Sequence, residues 1–516
     1  MRRALAATLV VTGLILVARL SAGPLRFWVP VNSPLGLETV FSLAALLLLG
    51  IRGHRETAGQ ETARRTIDRA DFLVALALTL ITLAAFARSA GDYFLSDDFI
   101  LLSHAANTNF KNLFTSPGGD GFFRPVGYVL YAVTLRFAGL NPAAWHWAGF
   151  ALHAGNVVLV FVLAAELGLS RFGAAVAGLL FALHGSRAES VLWMAGRFDL
   201  YATCFALVAI LCFLRSWHAA GLLAMAGGLL CKESAYAVPG LLVAVLAYQR
   251  RLWTRQALPI LAYFAVALVL FAYRWRLLGG IGGYHDEAFS VTLPAFKALF
   301  VRLWTVLFFP INWGVTPSLG LAILAAAFVL SSTWLFTASL PRRLFLFLLS
   351  LTLLAALPAL PQLLIGADIQ KSRLLYLPSF GFALLIGAST SRLTPLLRWS
   401  SAIAVIAFQL GSLEYNLGAW RDAARSAQMA CTVAAVCALR CDGVVSVSPP
   451  PSSLNGVYYF ANGFPECVRL QVGAAWIQFV VDKSKACSFE WSADGSLIGH
   501  AKGNTCERSI DLSRSP

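Results

Sequence analysis

Long apolar runs, broken at short intervals by clusters of arginine, set the pattern of this chain. The runs fall near 4–20, 35–51, 71–89, 144–167, 173–186, 198–214, 218–231, 234–249, 256–274, 318–338, 344–361, 374–390 and 399–415. A bilayer core takes roughly 20 residues of helix, and several runs come close to that length. The pattern predicts an all-α polytopic membrane protein with about 11–13 transmembrane helices. Two further stretches, 121–140 and 296–313, are apolar but interrupted by Arg124, Arg136, Lys297, Arg302 and Pro310. Counting either one alone as a span breaks the alternation of basic loops. Both are therefore expected as interfacial or re-entrant helices on the outer face.

The basic clusters orient the spans. Arg2 and Arg3, then Arg52, Arg55, Arg64, Arg65 and Arg69, then Arg171, Arg215, Arg250, Arg251, Arg255, Arg342, Arg343, Arg392 and Arg398 fall in alternate connections. One threading places all of them in the cytoplasm, as the positive-inside bias requires. It leaves the loop at Asp97–Asp98, the 275–295 loop and the C-terminal tail outside. The first run has the basic start and small residues of a signal peptide, and is expected to remain as an uncleaved helix.

Composition agrees with the pattern. Of 516 residues, 58% are hydrophobic and 13% charged, with a net charge of +15. Soluble domains are nearer 45–50% apolar and about 25% charged. The positive charge is mostly arginine between apolar runs, so it reports topology and excludes nucleic acid as a partner.

The tail changes character. Cys431, Cys437, Cys441, Cys467, Cys487 and Cys506 crowd it, whereas Cys204, Cys212 and Cys231 lie in apolar runs. Six cysteines in a short polar segment predict disulfides and an oxidising compartment, with connectivity left open. No C-x-x-C is present and His500 is the tail's one histidine, which disfavours zinc. After the proline-rich stretch Pro449–Ser453, strand-like segments include Val468–Val472, Trp476–Val481 and Cys487–Trp491, with Asn455-Gly456, Asn462-Gly463 and Asp494-Gly495 as turns. The expected organisation is two N-terminal helices and a basic loop over 1–70, a membrane core over 71–428, a linker over 429–453, and a small β-rich, disulfide-bonded, extracytoplasmic domain over 454–516.

Several polar groups stand where an apolar protein has no structural need of them. Asp97-Asp98 occupy the first sizeable outer loop. A carboxylate there can act as a general base, and a second one beside it near lipid raises its pKa. The competing reading is a solvated loop that caps the next helix. His184-Gly185-Ser186-Arg187-Ala188-Glu189, with Gly196-Arg197-Phe198-Asp199, packs charge into a short connection, where it faces either a ligand or an internal Arg187–Glu189 pair. Lys232, in Cys231-Lys232-Glu233, can meet a phosphate as a point charge or be balanced by Glu233. Arg124 and the Lys371-Ser372-Arg373 cluster add outer-face cations against the positive-inside bias, which favours a bound anion.

The order and spacing of these motifs resemble the GT-C superfamily of polyprenyl-phosphate-sugar glycosyltransferases. The likeness is closest to the TMTC-type transmembrane O-mannosyltransferases and their bacterial relatives. It rests on Asp97-Asp98, Phe123-Arg124-Pro125, Gly139-Leu140-Asn141-Pro142, Trp145-His146, His184 through Asp199, Cys231-Lys232-Glu233, Arg373 through Ser379, and Ala419-Trp420-Arg421-Asp422. Together these cover roughly 71–428. Gly185 and Arg187 stand where the family has a second proline and histidine, and the tail replaces the family's helical repeats.

The resemblance implies a GT-C fold and an inverting transfer from a polyprenyl-phosphate-linked sugar to an acceptor hydroxyl on a protein, lipid or glycan. Asp97 is the implied base, with Asp98 beside it. Arg124, Lys232 and Arg373 are the implied phosphate-binding residues. His184, Glu189, Asp199, Glu233 and Tyr376 are implied to line the substrate site. No cofactor is required; a divalent metal on Asp97, Asp98 and Glu189 is conceivable but not favoured. A flippase for lipid-linked glycans and a non-catalytic membrane scaffold are the competing classes, although no inverted repeat is visible. With no Asn-x-Ser/Thr sequon in the chain, a bacterial inner membrane with a periplasmic site is expected.

Overall fold

The computed structural model describes residues 2–22, 34–51, 68–107, 110–118, 121–280, 298–336, 340–440, 444–447, 450–472, 478–480, 487–491 and 497–501. Every one of the thirteen apolar runs is helical. In chain order the helices are α1 (Arg2–Ala22), α2 (Pro34–Ile51), α3 (Arg69–Phe86), α4 (Asp97–Ala106), α5 (Pro125–Ala138), α6 (Pro142–Glu166), α7 (Arg171–Leu183), α8 (Arg187–Leu192) and α9 (Arg197–Leu214). They continue as α10 (His218–Leu229), α11 (Val238–Tyr248), α12 (Pro259–Leu278), α13 (Leu303–Phe308), α14 (Leu319–Leu335), α15 (Arg342–Ala356), α16 (Ser379–Thr390), α17 (Pro395–Arg440) and α18 (Phe464–Val472).

Among the described residues seven helices are long and apolar enough to cross a membrane, and eight more are apolar but of 10–17 residues. Six of the thirteen apolar runs fall in this shorter class; the other two short helices are the charge-interrupted stretches 125–138 and 298–308. The long helices divide by position. The apolar windows of α6 and α9 are 61% and 67% buried, whereas those of α3 and α12 are 22% and 17% buried. Leu73, Leu80, Leu261, Leu268 and Val269 point outward on α3 and α12, as a lipid-facing surface does.

Polar contacts fix the helix ends. At the basic-loop end Asp68 and Asp71 form a capping box on α3, and Arg171 at the start of α7 reaches Asp71 at 2.9 Å and Asp68 at 2.5 Å. Arg215 after α9 holds Glu166 at the end of α6. At the other end His146 near the start of α6 bonds the Asp92 carbonyl at 2.9 Å. The two N-terminal helices belong to the same hydrophobic core as the rest, with Phe41 packed on Phe309 and Phe328. Glu38 on α2 is buried and takes hydrogen bonds from Trp313 and Arg302.

The tail departs from expectation. The helix that holds the apolar run 399–415 continues well past it: α17 runs unbroken to Arg440 over 46 residues, about 69 Å at roughly 1.5 Å per residue. That exceeds a bilayer core of about 30 Å, and its later turns remain packed, with Ala423, Ala427, Ala430 and Ala434 buried. Strands β1 (Val444–Val447), β2 (Ser453–Leu454), β3 (Val457–Tyr458), β4 (Gln478–Val480), β5 (Cys487–Trp491) and β6 (Leu497–Ala501) follow. The four-stranded sheet has order β4-β1-β5-β6, with β1 parallel to both neighbours and β5–β6 antiparallel. β2 and β3 form a hairpin turned at Asn455-Gly456, both with positive φ, as a two-residue hairpin turn requires.

The segment Val468–Val472, expected as a strand from its alternation, is helical in α18. Phe464, Cys467 and Val468 are buried, so its apolar positions follow a helical period. Cys431 on α17 and Cys467 on α18 form a disulfide. Cys441 and Cys506 lie outside the described residues, as do the side chains of Cys437 and Cys487.

Candidate functional site

A cavity of about 330 Å³ opens at the end of the bundle away from the basic loops. It gathers side chains from connections far apart in sequence. Asp97, Arg124, Asp199, Lys232, Glu233 and Arg373 all line it, with Trp193, Phe122, Phe198 and Asn462 among the other walls.

The acidic pair splits by direction. Asp97 and Asp98 are the first two residues of α4, after Ser96 at φ 49°. Asp97 faces the cavity, where its carboxylate takes a hydrogen bond from the Asn462 amide at 2.9 Å. Asp98 turns inward and is 2% exposed. Its two oxygens accept from the backbone N–H groups of Leu95 at 3.1 Å and Ala195 at 2.9 Å. Burial pushes its carboxyl up from 3.8 to about 7, against those two hydrogen bonds. Asp98 therefore clamps the start of α4 to the Met194–Gly196 turn, and it does not line the cavity beside Asp97.

Each cavity cation is held by a carboxylate. Lys232 Nζ lies 2.5 Å from Asp199 Oδ2. Burial lowers the Lys232 pKa, and Asp199 opposes that shift. Arg124 bonds Glu233 Oε2 at 2.9 Å, and Arg274 lies 2.6 Å from Glu233 Oε1. Arg373 pairs with Glu189, whose other oxygen takes the Ser372 hydroxyl at 3.0 Å. Burial raises the Glu189 pKa, and Arg373 opposes that shift. Neither internal balance that the sequence suggested is formed: Lys232 pairs with Asp199 instead of Glu233, and Glu189 pairs with Arg373 instead of Arg187. The guanidinium of Arg373 also stacks on Trp193 at 4.6 Å, and that of Arg124 on Phe122 at 4.0 Å. Ile369 and Lys371, both with positive φ, bend the chain so that Ser372 and Arg373 meet Glu189.

Three expected substrate-site residues do not line the cavity. Glu189 is 3% exposed and acts through Arg373. His184 is buried between the Ser186 hydroxyl and the Leu307 carbonyl, each at 2.9 Å. Tyr376 is buried with its hydroxyl 2.6 Å from His153 Nδ1 and 3.2 Å from Asn156 Nδ2. Arg187 donates to the Phe181 carbonyl at 2.8 Å and to Ser379. These groups tie α6, α7, α8 and α16 together beneath the cavity. Among the described residues no three His, Cys, Asp or Glu side chains converge as metal ligands.

Two site residues were not anticipated. Arg274 carries a signal of its own, a cation near the cavity end of the apolar α12. Asn462 carries none, because Asn462-Gly463 reads as an ordinary turn.

No family model matches the chain. It is 34% identical over 125 residues to the protein O-mannosyl-transferase Tmtc1 of Drosophila melanogaster, covering 23% of this chain and 15% of that protein. It is 27% identical over 171 residues to TMTC2 of Mus musculus, covering 33% of this chain and 19% of that protein. The chain thus spans under one fifth of the length of these relatives. Among solved structures, ArnT from Cupriavidus metallidurans bound to undecaprenyl phosphate aligns with a TM-score of 0.44 at 13% identity, covering 78% of this chain and 84% of that one. By sequence, and over 23% to 33% of its length, this polytopic membrane chain is similar to the TMTC protein O-mannosyl-transferases.

Proposed function

We propose that this chain is a membrane glycosyltransferase that moves a sugar from a polyprenyl-phosphate donor to an acceptor hydroxyl, with inversion, and with Asp97 as general base. The observation that carries the reading is the shared cavity: one carboxylate that forms no ion pair among the described residues, facing Arg124, Lys232 and Arg373. Asp199 and Glu233 are each engaged by a cation, and a carboxylate so paired is a poor proton acceptor. Asp97 takes its hydrogen bonds from the neutral groups of Ser96 and Asn462.

In the transfer, the acceptor oxygen attacks the anomeric carbon as Asp97 takes its proton. The bond from that carbon to the phosphate oxygen breaks, and polyprenyl phosphate leaves with the electron pair. Arg124, Lys232 and Arg373 meet the charge that grows on the phosphate. Their carboxylate partners and the aromatic faces beneath them hold them oriented beforehand, so little reorganisation accompanies the charge. Among the described cavity residues Asp97 is the one carboxylate without a cation partner, which supports direct displacement with a single base.

The donor enters from the bilayer, and the acceptor is a protein, lipid or glycan. Mannose is the sugar suggested by the similarity to O-mannosyl-transferases. The disulfide on the cavity side of the bundle supports an oxidising compartment, and the basic loops at the other end support an extracytoplasmic site.

The test is deletion of the gene in its host, followed by mass spectrometry of envelope glycans and glycoproteins. Wild type is expected to restore a lost hexose or pentose mass, and Asp97→Asn at matched membrane levels is expected to leave it lost. Full restoration by Asp97→Asn would remove the base from the reading.

A further inference from the structure

The tail segment Pro451–Val472 lies against the mouth of the cavity, and its contacts are too numerous and too specific for an appended domain. The hairpin is anchored first: the Asn312 side chain donates to the Asn455 carbonyl at 2.7 Å. Tyr458 stacks on Trp193 with ring centroids 4.7 Å apart, and Arg373 lies 5.5 Å from the Tyr458 ring. Phe460 then stacks on Phe99 of α4. The Asn462 backbone N–H reaches the Ser96 hydroxyl, and Gly463, at φ +82°, sits where a Cβ would strike the Ser96 carbonyl oxygen. Finally Cys467 is bonded to Cys431, and the Gln471 amide donates to the Tyr93 hydroxyl at 2.9 Å. Val457, Tyr459, Phe460, Phe464 and Val468 are all buried in this packing.

We propose that this segment is a wall of the active site and that Asn462 is a positioning residue for Asp97, an inference that rests on the transfer reading above. The Asn462 amide donates to Asp97 Oδ1. That bond fixes the carboxylate plane and leaves Oδ2 to accept the proton of the attacking hydroxyl. The placement is set by the tail's own grip, since the neighbouring backbone is locked to Ser96 on one side and to the Cys431–Cys467 bond on the other. Asn462 thus acts through the base, whose carboxylate it holds. Tyr458, on the same segment, extends the aromatic bed beneath Arg373.

The test compares wild type, Asp97→Asn, Asn462→Ala and the near-isosteric Asn462→Asp as full-length protein in host membranes. Thiol alkylation checks that the Cys431–Cys467 bond is intact. Transfer is read by the restored glycan mass at matched protein level, and native mass spectrometry reads retention of undecaprenyl phosphate as the probe. Loss of a hydrogen bond to a charged group predicts a fall in transfer of about 10-fold or more for Asn462→Ala. Asn462→Asp replaces the donor with an acceptor facing a carboxylate and is expected to fall at least as far. Retention of the probe stays within about twofold of wild type in both. Wild-type transfer by Asn462→Asp, or an equal loss of probe retention and transfer, overturns the positioning role. If Asn462→Ala loses the disulfide, Asn462→Asp decides. Equal transfer by wild type and Asp97→Asn instead overturns the transfer reading, and the role of Asn462 falls with it.

Discussion

The two ends of the helix bundle use the same ion pairs for different ends. At the basic-loop end Arg171 meets Asp68 with side chains 38% and 55% exposed. At the cavity end Lys232 meets Asp199 with side chains 11% and 5% exposed. Pairs open to water stitch helix termini and contribute about 0–1 kcal/mol in general. Pairs taken out of water hold their charges at a desolvation cost that well-packed apolar residues would avoid. The other end also holds partly withdrawn pairs, Arg215 with Glu166 at 25% and 7% exposed, but each joins two helix ends, whereas three such clusters around one cavity orient their charges toward a shared space. The difference teaches that the cavity's cations are set in place before any anion arrives.

The largest expected effect tests that directly. Asp97 carries no ion pair among the described residues and is only partly buried, so Asp97→Asn leaves the helix packing alone. General-base catalysis contributes about 10²–10⁴-fold, and loss of transfer on that scale is expected at an unchanged melting temperature in detergent. A variant that lost stability along with transfer would place Asp97 among the structural carboxylates, with Asp98.

Next in size is a variant that strands a half-buried cation by removing its buried partner. Glu189→Gln leaves Arg373 without its counter-charge, and breaking a buried pair costs about 3–5 kcal/mol. A marked fall in melting temperature is expected. The double variant Glu189→Met/Arg373→Met removes both charges and is expected to recover most of that stability while transfer stays lost. Recovery of transfer as well would show that Arg373 serves only the fold. Arg215→Met with Glu166→Met at the other end should cost transfer nothing, which sharpens the contrast.

How much of this was legible follows from range. The apolar runs are local, and each became a helix. The cations Arg124, Lys232 and Arg373 were legible because they stand apart from the alternating basic loops, and they do share one cavity. Direction was not legible. Arg187 and Glu189 sit two apart on the six-residue α8 and look to different neighbours, and nothing in the local pattern separates the cavity-facing Asp97 from the inward Asp98. His184 and Tyr376 are chemically suited to a site, yet each satisfies its polar atoms in the core. The partners of Lys232 and Glu189 were not legible either, because they depend on which connections meet in space. Asn462 marks the limit: its contact with Asp97 joins residues 365 positions apart, and only the folded tail creates it.

A smaller effect separates the two aspartates by pH. The Asp98 carboxyl is raised from 3.8 to about 7 by burial. Below pH of about 4 both folded and unfolded states hold the proton, and Asp98 contributes no pH dependence. As pH rises from about 4 to about 7, the unfolded state gives up its proton while the folded state keeps it, so stability falls. Above about 7 the dependence ends. Wild type is expected to melt at a lower temperature at pH 7.5 than at pH of about 5 on this account, and Asp98→Asn to lose that part of the slope. The variant forfeits one hydrogen bond from Leu95 or Ala195, which lowers its melting temperature at every pH by a constant amount. A slope that persists in Asp98→Asn would assign the titration to other groups.

The smallest effect belongs to the exposed end. Arg171 holds Asp71 and Asp68, but it is open to water, and the capping box between Asp68 and Asp71 already satisfies the first turn of α3. Arg171→Gln keeps a donor for Asp71 and removes only the charge. A change in melting temperature of no more than about 2 °C is expected, shrinking further at high salt because exposed pairs are screened. Transfer should be unchanged, since α3 and α7 are also joined by the packing of Leu78 against Gly178. A large loss at this position would mean that the pairs at the two ends do not differ in kind, and that burial is not what sets the cavity charges apart.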